Sequence, residues 1–261
     1  MNRVRVGAVG YLNARPLVYG LDHSPRFEVR YDIPSECARL LHEGATDIGL
    51  IPSIEYLRGG PYRIVPDLAI ASCGPVASVA VFTTKPIADV SSIAMDTSSR
   101  TSVALSTVML RRAFGVTADA LPMAPDLEAM LARADAALII GDTALFLDHQ
   151  SAIQKIDLGE LWTQSTGLPF VYAVWAGWPD AIGPDEVRVL QRARDLGVAE
   201  SDQVACAYYP DDPVRQAVAK RYLRDNIQYT LGDEELEGLK TFYRYAAEQG
   251  LVPNAGSLRF F

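Results

Sequence analysis

The stretch VRVGAVGYLNARPL, Val4 to Leu17, changes character twice, and that double change constrains the fold more than any other feature of the chain. Val4 to Val9 is apolar apart from Arg5 and rich in valine. Such a run suits a strand covered on both faces in a parallel sheet. Gly10 breaks it. Asn13 then stands as a favoured helix N-cap, and Pro16 falls in the first helical turn, where its missing N–H costs nothing. Asn13 is therefore expected at the carboxyl end of a strand and on the mouth of a helix, the edge where open α/β folds bind ligands. Capping alone also accounts for an asparagine here, and on spacing it is the commoner reason.

The same switch recurs along the chain. Phe27–Asp32 alternates like a strand, and Pro34 opens a helix through His42 that Gly44 ends. Asp47–Ile51 reads as a short buried strand, after which Pro52 and Ser53 start a helix over Ile54–Leu57. This β-α-β-α-β order implies right-handed parallel crossovers, so both helix mouths face one side. Arg63–Ser72 and Ser78–Thr83 flank the loop Cys73–Ala77, where Gly74 and Pro75 mark a tight bend. From Lys85 the pattern restarts. Ile93–Met95 leads through the hydroxyl-rich Asp96–Ser102 into a helix over Val103–Phe114, and Ala136–Ile140 leads through Gly141 and Asp142 into another. Ile156–Trp162 reads as an edge segment and Phe170–Ala176 as a long aromatic strand. Helices are expected over Glu186–Leu196, Val214–Asn226 and Asp233–Gln249. The restart predicts a discontinuous first lobe, residues 1–84 plus 171–261, and an inserted second lobe, residues 85–170. The lobes would join near Thr83–Lys85 and Phe170–Tyr172, with the ligand cleft between them.

Composition narrows the chemistry. The chain has 261 residues, 49% of them hydrophobic, and a formal net charge of −8. A general nucleic-acid or membrane surface is not expected of so acidic a chain. An anionic ligand would instead be held by local donors, such as helix N-termini and single arginines. Cys37, Cys73 and Cys206 are far apart and read as buried or half-buried side chains, with no disulfide framework or metal spacing. His42 reads as a solvated helix residue and His149 as a surface residue of the helix after Asp142. No GxSxG, P-loop, GxGxxG or HExxH pattern is present. The N-terminus enters a strand without an apolar leader, and no run approaches a membrane span, so a cytoplasmic protein is expected. What remains is hydroxyl-bearing loops. Ser72 and Ser78 shoulder the Gly74 bend, and Ser99, Thr101 and Ser102 make a candidate carboxylate cradle, to which Arg100 can add a bidentate contact. Asp142 can cap its helix or accept from a ligand hydroxyl. Each also has a plain reading, as a turn, a cap or a solvated charge. Spacing alone reaches a two-lobed protein that binds a small dianion, and no further.

Gly10–Leu17, GYLNARPL, resembles the opening motif of the chorismate dehydratases, which act in the futalosine route to menaquinone. Asp47–Ser53, Gly74–Val79, Ser99–Ser102, Ile140–Asp142 and Gly167–Val171 extend the resemblance over most of the chain. It implies an α/β, two-lobed, periplasmic-binding-protein-like fold of type II, with mostly parallel sheets flanked by helices. It implies a lyase that dehydrates chorismate to 3-[(1-carboxyvinyl)oxy]benzoate without metal or cofactor. Asn13 and Ser78 would be catalytic. Tyr11, Ser53, Ser72, Gly74, Ser99, Arg100, Thr101, Ser102, Gly141 and Asp142 would bind the substrate. A monomer and a dimer are both compatible. Two alternatives stay open: a sister lyase of the same pathway that acts on a cyclic nucleoside derivative, and a non-catalytic small-anion-binding protein. The sister family opens with a loop rich in Ser, Pro, Cys and Asn, which this chain lacks.

Overall fold

A computed structural model describes residues 3–261. Its first sheet begins with β1 (Val4–Val9), β2 (Phe27–Asp32), β3 (Ile48–Pro52) and β4 (Arg63–Ser72), with helices α1 (Pro34–His42) and α2 (Glu55–Arg58) between them. The second holds β5 (Val79–Thr83), β6 (Ser92–Asp96), β7 (Asp119–Met123), β8 (Ala136–Ile140) and β9 (Gln154–Asp157). Helices α3 (Arg100–Phe114), α4 (Leu127–Leu131), α5 (Gly141–Phe146) and α6 (Leu158–Thr166) connect and follow those strands. β10 (Phe170–Gly177) then returns to the first sheet. It is followed by α7 (Pro184–Ala199), α8 (Ser201–Tyr208), α9 (Pro213–Arg221) and α10 (Asp233–Glu248). No helix among the described residues is long and apolar enough to cross a membrane.

The two sheets share one plan. The first runs β2-β1-β3-β10-β4 and the second β7-β6-β8-β5-β9. In each, three strands pair in parallel, and one strand inserts antiparallel beside them: β10 between β3 and β4, β5 between β8 and β9. β3, β5, β8 and β10 are buried along their whole length, as strands covered on both faces require.

Several sequence expectations are corrected here. Placing Ser78–Thr84 at the end of the first lobe fails, because β5 is hydrogen-bonded on both edges within the second sheet. The chain therefore crosses between sheets at residues 73–78, and it returns at 167–169 after α6. Ile156–Trp162 is an edge strand only to Asp157, whose carboxylate then caps α6 through the Gly159 and Glu160 N–H groups. β7 carries Pro122 and lies at a sheet edge, where a strand tolerates proline. Asn13 is not an N-cap. Leu12–Val18 forms a 3₁₀ helix whose cap position is Tyr11, with no side-chain cap bond, and Asn13 lies within it. Cys73 is exposed rather than buried.

The 3₁₀ helix is pinned from behind by α7. At Gly197 the two backbones approach so closely that an added Cβ would lie 2.2 Å from the Pro16 carbonyl oxygen. Backbone cannot yield as a flexible side chain can. Gly197→Ala is therefore expected to destabilise the protein by about 1–3 kcal/mol, read as a lower urea midpoint with an unchanged slope.

Candidate active site

The carboxyl ends of the parallel strands of both sheets face one another across a cleft. A narrow cavity lies there. From the first lobe it is lined by Val9, Tyr11, Asn13, Pro34, Pro52, Ile70, Tyr172 and Ala173, and from the crossing loop and second lobe by Val76, Ser78, Val79, Ser99, Ser102, Ile140 and Gly141. None of these side chains is ordinarily charged. Of the residues expected from sequence, Tyr11, Asn13, Ser78, Ser99, Ser102 and Gly141 meet in this cavity.

Asn13 and Ser78 are brought together by a residue that spacing does not reveal. Ser78 Oγ lies 2.7 Å from the Tyr222 hydroxyl, and the Asn13 side chain approaches the same phenol. Asn13 Oδ1 is buried without a hydrogen-bond partner. Tyr222 begins a π-helical turn, Tyr222–Asn226, a local distortion that often marks functional positions. Burial raises its hydroxyl pKa, against the hydrogen bond from Ser78. It is thus a neutral, oriented phenol. Ser78 itself follows two left-handed positions in the crossing loop: Gly74 with φ of 93°, which glycine adopts freely, and Ala77 with φ of 64°, which is strained. The loop is held by one carboxylate. Asp157 accepts from the N–H groups of Val76 at 3.0 Å and Ala77 at 2.7 Å. Leaving an alanine in the left-handed region costs energy that such contacts offset.

At the other wall, Ser99 precedes α3 and Ser102 lies in its first turn. Ser102 Oγ donates to Ser99 Oγ at 3.1 Å. The first N–H groups of this helix and its dipole favour a negative charge beside them. Gly141, with φ of 65°, packs so near the Tyr11 ring that a Cβ would approach it to 3.0 Å. Burial raises the Tyr11 hydroxyl pKa.

The remaining expected residues are occupied elsewhere. Ser53 donates to the Val171 carbonyl at 2.8 Å and lies 3.3 Å from Thr101 Oγ1, which also accepts from the Ile54 N–H. Ser72 Oγ pairs with the Tyr172 hydroxyl at 2.9 Å, and so supports a lining residue without lining the cavity. The Gly74 N–H donates to Thr163 Oγ1. Arg100 does not reach the cavity but forms an ion pair with Glu55 at 2.6 Å. His42 is not a solvated residue: its ring nitrogens contact the Tyr62 hydroxyl and Glu55. His149 lies beyond α5, edge-on to Phe82. Burial would lift the Glu55 carboxyl, but His42, Arg100 and Arg58 together hold it at about 2.

A family model described as menaquinone biosynthesis matches residues 4–248. A chorismate dehydratase of Thermus thermophilus is 31% identical, over 91% of this chain and 93% of that protein. Among solved structures, an Archaeoglobus fulgidus protein superposes with a TM-score of 0.76 at 18% identity, covering 96% of this chain and 98% of that one. The periplasmic aliphatic sulphonate binding protein of Escherichia coli superposes with a TM-score of 0.66 at 15% identity, covering 98% and 95%. The fold is periplasmic-binding-protein-like.

Asp142 bridges the lobes instead of lining the cavity. It accepts from the Leu12 N–H at 3.2 Å and from the Tyr208 hydroxyl at 2.6 Å, so it caps the 3₁₀ helix of the opposite lobe. Burial raises its pKa, and the bonds from Tyr208 and Leu12 only partly oppose this. A carboxyl whose folded pKa exceeds its unfolded one costs stability while ionised, and that cost disappears as pH falls. Asp142→Asn keeps an acceptor oxygen and removes the charge. At pH 7 its melting temperature is expected to equal or exceed that of the parent. The parent should gain on the variant as pH is lowered toward 4, measured by calorimetry across that range.

Proposed function

The chain belongs to the menaquinone-biosynthesis family of the chorismate dehydratases, and from that premise we propose that its cleft eliminates water from chorismate, giving 3-[(1-carboxyvinyl)oxy]benzoate for the futalosine route. The observation that carries the reading is that Asn13 and Ser78 share one cavity that no ordinarily charged side chain lines. A small dianion is then held by neutral donors: the hydroxyls of Ser99 and Ser102 and the N–H groups at the start of α3.

The chemistry follows from this donor set. Chorismate loses the proton on ring C3 and the hydroxyl on C4. The C3–H is vinylogous to the ring carboxylate, so its electrons can flow into an enolate-like system and then expel the C4 oxygen. With no histidine, lysine or carboxylate among the lining residues, the proton acceptor is the substrate's own enolpyruvyl carboxylate. The proton leaves with the C4 oxygen as water, and aromatisation of the ring drives the step. Asn13 orients the substrate and donates toward the departing oxygen, while Ser78, fixed by Tyr222, shares that role. Fixed dipoles aimed at developing charge typically account for about 10²–10³ in rate each. The remainder comes from orienting the C3–H and C4–O bonds and excluding water.

Purified protein with chorismate should show the ultraviolet change of aromatisation. Asn13→Asp should lose turnover about 10²-fold or more, since its charge would face the leaving oxygen and the substrate carboxylates, with the fold of the variant checked by circular dichroism. Ser78→Ala should fall by a similar order. Tight chorismate binding without spectral change in the parent would identify a binding protein instead. An Asn13→Asp variant with full activity would overturn the residue assignment.

A further inference from the structure

The most deeply buried acidic side chain among the ion pairs is not in the cavity. Glu55, at the start of α2 in the first lobe, leaves 1% of its side chain exposed. Its own lobe already supplies two partners, His42 Nε2 at 2.9 Å and Arg58 at 3.1 Å. The third and nearest, Arg100 at 2.6 Å, comes from the second lobe. The neighbouring residues interlock in the same place. The Ile54 N–H donates to Thr101 Oγ1 at 3.1 Å, and Ser53 Oγ lies 3.3 Å from that atom. Consecutive residues 53–55 of one lobe thus engage consecutive residues 100–101 of the other. A second inter-lobe ion pair, Arg112–Glu248, has both ends half-exposed and is the screened, weak kind.

Arg100 sits between the two serines of the proposed carboxylate cradle. Ser99 and Ser102 both line the cavity, and Arg100 between them is held against α2 by its ion pair with Glu55. We infer that Glu55 and Arg100 are positioning residues: the pair latches the lobes in the closed arrangement and so sets the cradle over the substrate, without touching it. A buried carboxylate recruited from outside its own lobe does this directionally, since its remaining lone pairs are matched by a guanidinium rather than by water. The role of the cradle rests on the dehydratase reading; the latch does not.

Arg100→Met tests it with the full-length protein. The variant keeps the aliphatic stem, and Glu55 keeps His42 and Arg58, so the first lobe stays satisfied. In the absence of substrate, small-angle scattering should give a larger radius of gyration for Arg100→Met than for the parent. With chorismate, KM should rise about three- to tenfold while kcat changes less than twofold, because saturating substrate closes the cleft by itself. Arg100→Lys should recover part of the loss, and Glu55→Gln combined with Arg100→Met should add little to the single change. An unchanged radius of gyration overturns the latch, as does a parent-like KM. If the parent does not turn over chorismate, the functional reading falls, and the scattering comparison still decides the latch.

Discussion

Each sheet of this protein is completed by a strand that the other lobe delivers. After β4 the chain leaves the first sheet and β5 inserts between β8 and β9; after α6 it leaves the second lobe and β10 inserts between β3 and β4. The rest of the structure depends on that exchange. It sets the carboxyl ends of the parallel strands of both sheets facing each other, which is where loops and helix mouths present their donors. It also forces the two crossings to lie side by side. Ser72, the last residue of β4, pairs in register with Phe170, the first of β10. Thr163 at the end of α6 holds the Gly74 N–H. Asp157 gathers the N–H groups of Val76, Ala77, Gly159 and Glu160 on one carboxylate. Hydrogen bonds to a charged acceptor contribute about 1.5–3 kcal/mol each, enough to hold Ala77 in its unfavourable conformation. Ser78 is thereby held by the connection as well as by its bond with the buried Tyr222.

A cavity without charged side chains can hold an anion only through neutral donors. Neither Arg100 nor Arg15 lines the cavity. Arg100 serves Glu55, and Arg15 donates to the Gly10 carbonyl while stacking over Tyr31 and Tyr208. What faces the cavity is hydroxyls, an amide and the start of α3, whose dipole amounts to about half a positive charge. Under the proposed reaction this has a kinetic sense. Substrate and product both keep two carboxylates, so an arginine clamp would bind them alike, and uniform binding adds nothing to the chemical step. Weak, directional donors orient the dianion and still release an aromatic product.

The strand–glycine–helix switches were legible, and with them the α/β class and the cleft edge that holds Asn13, Ser99 and Gly141. The errors have one physical origin: contacts between residues far apart in the chain. An apolar run such as Val79–Thr83 says that a strand is buried, not which sheet buries it. Asn13 looks like a cap because nothing local reveals that Asp142, on the opposite lobe, accepts the Leu12 N–H. Glu55 reads as an ordinary first-turn acid, and only the fold supplies the three cations that make its burial tolerable. Tyr222 carries no motif. Its signal is a π-helical turn that appears in coordinates alone.

Unsatisfied polar atoms point to ligands only in the right surroundings. Trp175 Nε1 and Tyr229 Oη are buried without partners, as Asn13 Oδ1 is, but neither residue lines the cavity. An orphaned acceptor costs about 1–3 kcal/mol wherever it lies. In a packed core nothing can recover that loss. At a cavity wall a ligand can, and the recovered energy then favours the ligand that brings a donor to that atom. Asn13 couples such an acceptor to a neighbouring phenol and serine that are already mutually oriented, beside a strained backbone. Two independent costs, the orphaned acceptor and the left-handed Ala77, therefore converge on one wall of one cavity. Local departures from good folding practice that cluster in this way are what a site selected for a bound state, not for stability, is expected to show.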